Sequence, residues 1–409
     1  MRTKKSRSAL NTLIPIPEST MERAFTEQTL NGKDFKNVFI KAATYEGMYD
    51  AGIPNQELLT HHVNLAKGNV GLTTISYGAV SPDGRTFKDQ MYVHDKSISK
   101  LAEIAEKVHD AGGKVSIQLT HCGYFTKNTQ VKNPLAPSRV FNKYGFMSGI
   151  AFSKAMTSDD MNKISNDFAD AALSIKNAGF DAVELHMGHG YLLSQFLSPL
   201  TNKRRDAYGG DILNRARFPL EVLNSVRAKV GDDFPVFVKL NLNDGFRKGF
   251  TLEECRYVSV ELENNGCSAI VLSGGFTSKT PFYLMRGDVP LWGMVKNGGS
   301  IAEKISLALF GPLIIKKYHF EPNFFLDQAK EIRKVTKLPL VYIGGVDSKE
   351  GIIEILDAGF NFIAIGRALI HDSNFLLKLA ANEIEKSECT RCNECVVEMD
   401  RRGVRCTIT

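Results

Sequence analysis

The sequence predicts a (β/α)₈ barrel, and two observations support this fold class. From Val38 onward, eight short apolar runs alternate with amphipathic stretches. Such runs are typical of parallel strands buried on both faces, and eight alternating units close readily into a barrel. Glycine also stands between helix and strand in the phrases DAGGKVSI, NAGFDAVEL, NNGCSAIVL and DAGFNFIAI, where it permits a left-handed helix end. A doubly wound open sheet is the alternative, because periodicity alone does not separate the two folds.

The predicted elements follow one another along the chain as short runs and longer amphipathic stretches. The strands are predicted at residues 38–43, 70–77, 114–119, 182–186, 236–240, 268–273, 340–343 and 362–365. Helices are predicted at residues 97–111, 161–178, 212–230, 252–265, 323–335 and 349–358. Thr157 with Asp160 and Thr251 with Glu254 have the spacing of capping boxes, which mark two of the helix starts.

Composition excludes several classes of protein. A hydrophobic content of 43% with 23% charged residues is typical of a soluble globular chain, and no apolar run reaches the length of a membrane span. The basic start, with Lys4, Lys5 and Arg7, lacks a secretory signal, so we expect a cytoplasmic protein. The net charge of +6 is spread along the chain, and therefore neither nucleic acid nor a membrane is an expected partner.

The chain divides into three predicted segments. Residues 1–36 form an N-terminal extension, residues 37–386 the barrel, and residues 387–409 a cysteine-rich tail. Two long loops, residues 121–156 and 274–321, follow the third and sixth strands at the barrel face where active sites are assembled. Loops of this length are usually lids or binding loops, and an interface with a partner is the alternative.

The fourth predicted strand ends in a cluster of chemically active side chains. His186 and His189 lie three residues apart and Tyr191 follows, so two imidazoles and a phenol leave one strand end together. Two imidazoles aimed at one point form a clamp for an oxygen atom. Titratable groups that converge at a strand end are typical of barrel active sites, although a single buried histidine is more often structural.

The seventh and eighth strands end in glycines that are typical of a phosphate site. Gly344 and Gly345 follow one strand, and Gly366 with Arg367 follows the other. Backbone N–H groups and a guanidinium at this place commonly bind phosphate. The third strand carries an amide, Gln118, and the fifth carries a cation, Lys239. Together these groups predict a pocket for a flat, phosphorylated cofactor.

The motifs resemble the Old Yellow Enzyme family of FMN-dependent ene-reductases over residues 37–367. The matching phrases are NVFIKAATYEG, GAVSPDGR, SIQLTHCG, ELHMGHGYLLSQFLSPLTNKRRDAYGGDILNRARFPLEV, VFVKLNLNDG, IGGV and AIGRALI. The resemblance implies a (β/α)₈ barrel, one non-covalent FMN, and NADH or NADPH as electron donor. It also implies that hydride passes through flavin N5 to the activated C=C bond of an enone or related substrate. A homo-oligomer is compatible with the sequence.

The resemblance also assigns roles to individual residues. It places Tyr191 as the proton donor and His186 and His189 on the substrate's carbonyl oxygen or the nicotinamide amide. The residues that it implies for the cofactor are Ala43, Tyr45, Tyr77 and Gln118 at the isoalloxazine, Lys239 at N1 and the C2 oxygen, and Gly345, Gly366 and Arg367 at the phosphate. Tyr45 stands where many members carry threonine or cysteine, and Lys239 where most carry arginine. Lysine keeps the charge but lacks the planar fork of arginine.

The tail contains four cysteines at a spacing found in metal sites. They are Cys389, Cys392, Cys395 and Cys406, in the pattern C-x₂-C-x₂-C-x₁₀-C. The segment resembles a shortened form of the iron–sulfur segment in the 2,4-dienoyl-CoA reductase branch of the family, with a different spacing. An iron–sulfur cluster or zinc is thus one interpretation, with an enzyme like that branch as the matching function. Reduced structural thiols are the other, which we favour.

Two further functions of different classes remain open at this point. A metal-dependent hydrolase could use His121, His186 and His189 as ligands, but it leaves the phosphate turns unexplained. An FMN-binding protein without turnover is the second, and the presence of both histidines and Tyr191 argues against it.

Overall fold

Eight parallel strands close into a barrel in the computed structural model, which describes residues 20–408. Neighbouring strands in the barrel are also neighbours in sequence, and Ile363 of the last strand pairs with Phe39 of the first. The strands are Phe39–Lys41, Leu72–Ala79, Lys114–Thr120, Ala182–Met187, Val236–Asn241, Ala269–Ser273, Leu340–Ile343 and Phe362–Ile365. The predicted fold class is confirmed, and the closed sheet rules out the open alternative.

The helices pack around the barrel and begin largely where the sequence predicts. The outer helices are Gln56–Lys67, Asp95–Asp110, Ser158–Asn177, Ile212–Val230, Leu252–Asn264, Leu326–Arg333, Lys349–Asp357 and Phe375–Ala380. Both predicted capping boxes are present: Thr157 and Asp160 exchange side-chain and backbone hydrogen bonds, as do Thr251 and Glu254. Each box satisfies two N–H groups that lack a partner within the helix.

Further elements lie outside the eight barrel strands and the eight outer helices. The additional helices are Thr20–Arg23, Leu192–Leu197, Leu291–Asn297, Ile301–Ile314, Arg367–His371 and Glu394–Glu398, and the additional strands are Gln28–Leu30, Lys33–Phe35, Tyr49–Asp50, Ile53–Pro54, Leu135–Ala136 and Lys154–Ala155. Of the predicted N-terminal extension, residues 1–19 lie outside the described part of the chain. Phe35, in the hairpin that follows, packs edge-on against Phe362 with ring centroids 5.8 Å apart.

The core lies between the barrel and its helices, and it explains the apolar strand sequences. Nearly every strand residue is buried, including all eight of Leu72–Ala79. Removing a large apolar side chain from water contributes roughly 1.5–3 kcal/mol, so strands buried on both faces are selected to be apolar throughout. None of the helices within residues 20–408 combines the length and apolar character that crossing a bilayer requires.

The second long loop contains two helices that the sequence did not predict. Residues 274–321 contain the helices Leu291–Asn297 and Ile301–Ile314, which form a hairpin at the carboxyl end of the barrel. Glu303 of the second helix forms an ion pair with Lys127 of the first long loop, with Nζ 2.5 Å from Oε1. The two loops therefore meet over the barrel mouth.

Candidate active site

A cavity of about 590 Å³ opens at the carboxyl ends of the strands, where the predicted site residues meet. A volume in this range accommodates a cofactor-sized ligand. The cavity wall includes every predicted site residue of the barrel except Lys239: Ala43, Tyr45, Tyr77, Gln118, His186, His189, Tyr191, Gly345, Gly366 and Arg367. These residues come from six strand ends that lie far apart in sequence, and they meet at one site.

The two imidazoles lie together, with ring centroids 4.9 Å apart and planes nearly perpendicular. His186 Nδ1 accepts a hydrogen bond from the backbone N–H of Gly188 at 3.3 Å, so its neutral ring carries the proton on Nε2. His189 Nε2 lies 2.7 Å from Ser273 Oγ, which leaves Nδ1 for a ligand. Burial lowers the pKa of His186 well below its usual value and that of His189 to about 3. Both rings are therefore neutral at neutral pH, and His189 donates from Nδ1 in the tautomer whose Nε2 accepts from the Ser273 hydroxyl.

Because burial lowers the pKa of His189, we expect the free energy of unfolding to decrease as the pH falls. The pKa of His189 is 6.5 in the unfolded chain and about 3 in the folded one, so the unfolded state binds the proton first. Its contribution is present above pH 6.5 and is lost progressively toward pH 3. Between about pH 7 and about pH 5.5, we expect the wild type to lose about 1 kcal/mol more than the His189→Gln variant, measured by urea unfolding. Equal losses would contradict the assignment.

Tyr191 is positioned by a second tyrosine. Its hydroxyl donates to Tyr77 Oη at 2.9 Å, and its ring lies 4.6 Å from that of His186. Burial raises the pKa of Tyr191 and of Tyr77, so both phenols stay protonated. The strand pairing shifts register between Ser76 and Gly78, which interrupts the side-chain alternation at Tyr77. The site thus holds a buried proton next to the histidine pair.

The opposite end of the cavity offers donors for an anion. The N–H groups of Gly345 and Gly366 donate no hydrogen bond to other residues between 20 and 408. Arg367 Nη1 donates to the backbone oxygen of Arg286 at 2.7 Å and to Asn393 Oδ1 at 2.8 Å, whereas its other nitrogens have no partner in the same range. Thr44 Oγ1 is also buried without a partner. These donors fit the phosphate of a cofactor such as FMN.

Lys239 lies below the cavity wall rather than on it. Its Nζ is 2.9 Å from Glu184 Oε1, and both side chains are buried. Gln118 Nε2 donates to the same carboxylate oxygen at 2.5 Å. Glu184 therefore positions the predicted amide and cation together, a role that the sequence did not suggest. A buried carboxylate that holds two predicted ligands on neighbouring strands is visible only once the strands are paired.

The tail supplies part of the cavity wall, which the sequence did not predict. Arg391 pairs with Asp347 after the seventh strand, and its guanidinium lies 4.2 Å from the ring centre of Phe320. Asn393, in the left-handed conformation, donates to the backbone oxygens of Met285 and Asp288. These contacts fix the tail beside Arg367. No motif marks Arg391 in the sequence, and its place within the cysteine segment is the one available signal.

The four tail cysteines gather around this part of the wall. Cys389 and Cys395 line the cavity, and the other two thiols lie close enough to Cys395 to help raise its pKa, mainly raised by burial, to about 12. In the described chain, no three of these cysteines have their sulfur atoms within 4.8 Å of one another. The sulfur atoms in a tetrahedral zinc site lie closer than that, at roughly 3.8 Å from one another. The metal site and the reduced thiols both remain predictions, which iron and zinc analysis of purified protein distinguishes.

The hydrolase interpretation does not fit the observed positions. His121 Nδ1 accepts from the backbone N–H of Gly123 at 3.1 Å, and His121 is not part of the cavity wall with His186 and His189. Within residues 20–408, the three potential metal ligands whose ligand atoms lie within 4.8 Å of one another are Glu46, His61 and His62. The proposed ligand set is therefore not assembled.

Comparison with known proteins gives a consistent result. Residues 28–272 match the NADH:flavin oxidoreductase / NADH oxidase family. The 4,4'-dithiodibutanoate disulfide reductase of Rhodococcus erythropolis is 33% identical over 386 residues, which cover 94% of each chain. The NADH oxidase of Thermoanaerobacter brockii is 31% identical over 349 residues, 84% of this chain but 48% of that protein, so the chain spans about half its length. The structure of the old yellow enzyme homologue from Zymomonas mobilis superposes with a TM-score of 0.69 at 21% identity, covering 89% and 94% of the two chains.

Proposed function

Because the chain belongs to the NADH:flavin oxidoreductase / NADH oxidase family, we propose that it reduces the activated C=C bond of an α,β-unsaturated carbonyl compound. It is an FMN-dependent oxidoreductase that takes electrons from NADH or NADPH. The observation that carries the finer assignment is the convergence of two neutral imidazoles and a protonated phenol on one cavity.

Each of these side chains has a role in the proposed reaction. FMN, when bound, supplies the hydride transfer. His186 and His189 donate hydrogen bonds to the carbonyl oxygen, which withdraws electron density from the alkene and stabilises negative charge on that oxygen. Tyr191 supplies the proton for the α carbon, and its bond to Tyr77 keeps the hydroxyl in place.

The cofactor assignments follow the same geometry. Gly345, Gly366 and Arg367 hold the phosphate, and Ala43, Tyr45, Tyr77 and Gln118 surround the flat ring system. Lys239 would supply positive charge near N1 and the C2 oxygen of the flavin, and Glu184 holds its Nζ in place. The open N–H groups and the partly unpaired guanidinium at the phosphate end support this proposal.

Disulfide reduction is a second candidate, favoured by a relative that matches over 94% of both chains. That relative is a reductase of 4,4'-dithiodibutanoate. In this reaction one S–S bond takes up two electrons and two protons and yields two thiols. The neutral imidazoles of His186 and His189 would stabilise the leaving thiolate by hydrogen bonding, as they would an enolate oxygen.

Anaerobic stopped-flow measurements separate the candidates. We expect NADH or NADPH to bleach the flavin, and 2-cyclohexenone to restore its colour faster than 4,4'-dithiodibutanoate does. Faster recovery with the disulfide would favour the second candidate. A flavin that stays oxidised with both nicotinamides would overturn both and indicate a binding protein without turnover.

A further inference from the structure

The helix Ile301–Ile314 is apolar on nearly every side and yet largely exposed. The run from Leu307 to Ile315, LALFGPLII, contains no charged or polar side chain. Gly311 is the one fully buried residue of the helix. An added Cβ there would lie 2.5 Å from Leu291 Cδ1, so the two helices of the hairpin touch. Helices that are hydrophobic all round are normally covered, because helix stability in proteins comes mainly from packing.

The exposed apolar residues lie on the two helices of the hairpin. Ile301, Ile305, Leu309 and Leu313 recur every fourth residue and make a ridge along the second helix, and Phe310 of that helix and Trp292 of the first are exposed as well. These six side chains are each between 54% and 85% exposed. With about 200 Å² for a fully exposed side chain of this size, they present on the order of 800 Å² of apolar surface. A stable interface buries about 800 Å² on each partner.

The inner face of the same helix belongs to the cavity wall. Ser306 and Leu307 line the cavity, together with Glu303, which pairs with Lys127 on the opposite loop. The helix is therefore a thin wall with the cavity on one side and solvent on the other. Whatever covers the outer face also fixes the position of the inner one.

We propose that a second copy of this chain covers the outer face of Ile301–Ile314 in a two-fold dimer, and that this contact holds the cavity wall in place. A ridge with a spacing of four residues packs against its own copy across a two-fold axis. A helix lying in a bilayer surface carries a polar face rich in Lys and Arg, whereas Lys304 is the one basic residue of this helix and its inner face is committed to the cavity. The area and the composition therefore favour a second copy.

Light scattering of the FMN-loaded protein tests the dimer. We expect a mass of about twice 45.3 kDa for the wild type. The double variant Leu309→Asp/Leu313→Asp places charges in the interface and should raise the dissociation constant by about 100-fold or more. Leu213→Asp is the matched control, since Leu213 is 56% exposed on another helix, and it should remain a dimer.

Two further measurements test the contact, and the first uses the wild type alone, so it does not depend on the folding of a variant. In the wild type, hydrogen exchange at 301–314 should slow between about 1 µM and about 100 µM protein, since dimerisation depends on concentration. The double variant should raise KM for cyclohexenone, or for the disulfide if that is the substrate, several-fold more than kcat falls. A monomeric wild type overturns the proposal. Binding of the monomer to phosphatidylglycerol vesicles would indicate a membrane surface as the occupant instead, and dimerisation only after deletion of residues 1–19 would indicate that segment. An unchanged KM in a monomeric variant overturns the role in the wall.

Discussion

Replacing Tyr191 by phenylalanine is expected to slow reoxidation of the reduced flavin by cyclohexenone by about 100-fold or more. The variant keeps the ring that packs against His186 but removes the hydroxyl that holds the proton. Reduction of the flavin by NADH or NADPH requires no proton from Tyr191, so its rate should change by less than about 3-fold. Stopped-flow absorbance measures the two steps separately.

The matched control is Tyr124→Phe. Tyr124 is a buried tyrosine whose hydroxyl lies 2.9 Å from Ser278 Oγ, and it does not line the cavity. This variant should leave both steps unchanged. Wild-type rates of alkene reduction in the Tyr191 variant would show that the proton comes from another group or from water.

The Arg367→Met variant is expected to bind FMN about 10- to 100-fold more weakly than the wild type. A hydrogen bond to a charged group contributes about 1.5–3 kcal/mol, and methionine keeps much of the length of the side chain while removing its donors. Titration of the flavin-free variant with FMN, followed by protein fluorescence, gives the dissociation constant.

The Asn393→Ala variant distinguishes the effect of the Arg367 charge on FMN binding from the effect of its contact with the tail. Asn393 Oδ1 accepts from Arg367 Nη1, so the alanine variant loosens the guanidinium but keeps it in the site. It should weaken FMN binding by less than about 10-fold. Equal affinities of the Arg367→Met variant and the wild type would refute the phosphate assignment.

The fold could be predicted because its determinants are local in sequence. Strands buried on both faces must be apolar throughout, and glycines mark where helices end, so all eight strands were identified within about three residues at each end. The hairpin at Leu291–Asn297 and Ile301–Ile314 escaped prediction. Its second helix shows no alternation of polar and apolar faces, and Gly298, Gly299 and Pro312 are signals for turns.

The site residues likewise fall into two groups, those that local sequence predicts and those whose role depends on tertiary contacts. His186, His189 and Tyr191 leave one strand end, so their proximity follows from the sequence alone. Glu184 and Arg391 were missed because their importance arises from partners on other segments: Lys239 on the next strand and Asp347 after the seventh. Pairings of this kind depend on tertiary structure and leave no local pattern.

The packing of residues 389–404 against the cavity changes how the C-terminus should be handled in the laboratory. An affinity tag fused there, or a shortened expression version that ends with the barrel, would remove or disturb Arg391 and Asn393, which contact Asp347 and Arg367 at the end of the cavity proposed for the phosphate. Preparations from such versions should be paler after gel filtration than those tagged at the N-terminus. Exchanging this segment between relatives would likewise alter flavin retention, although every barrel strand stays the same.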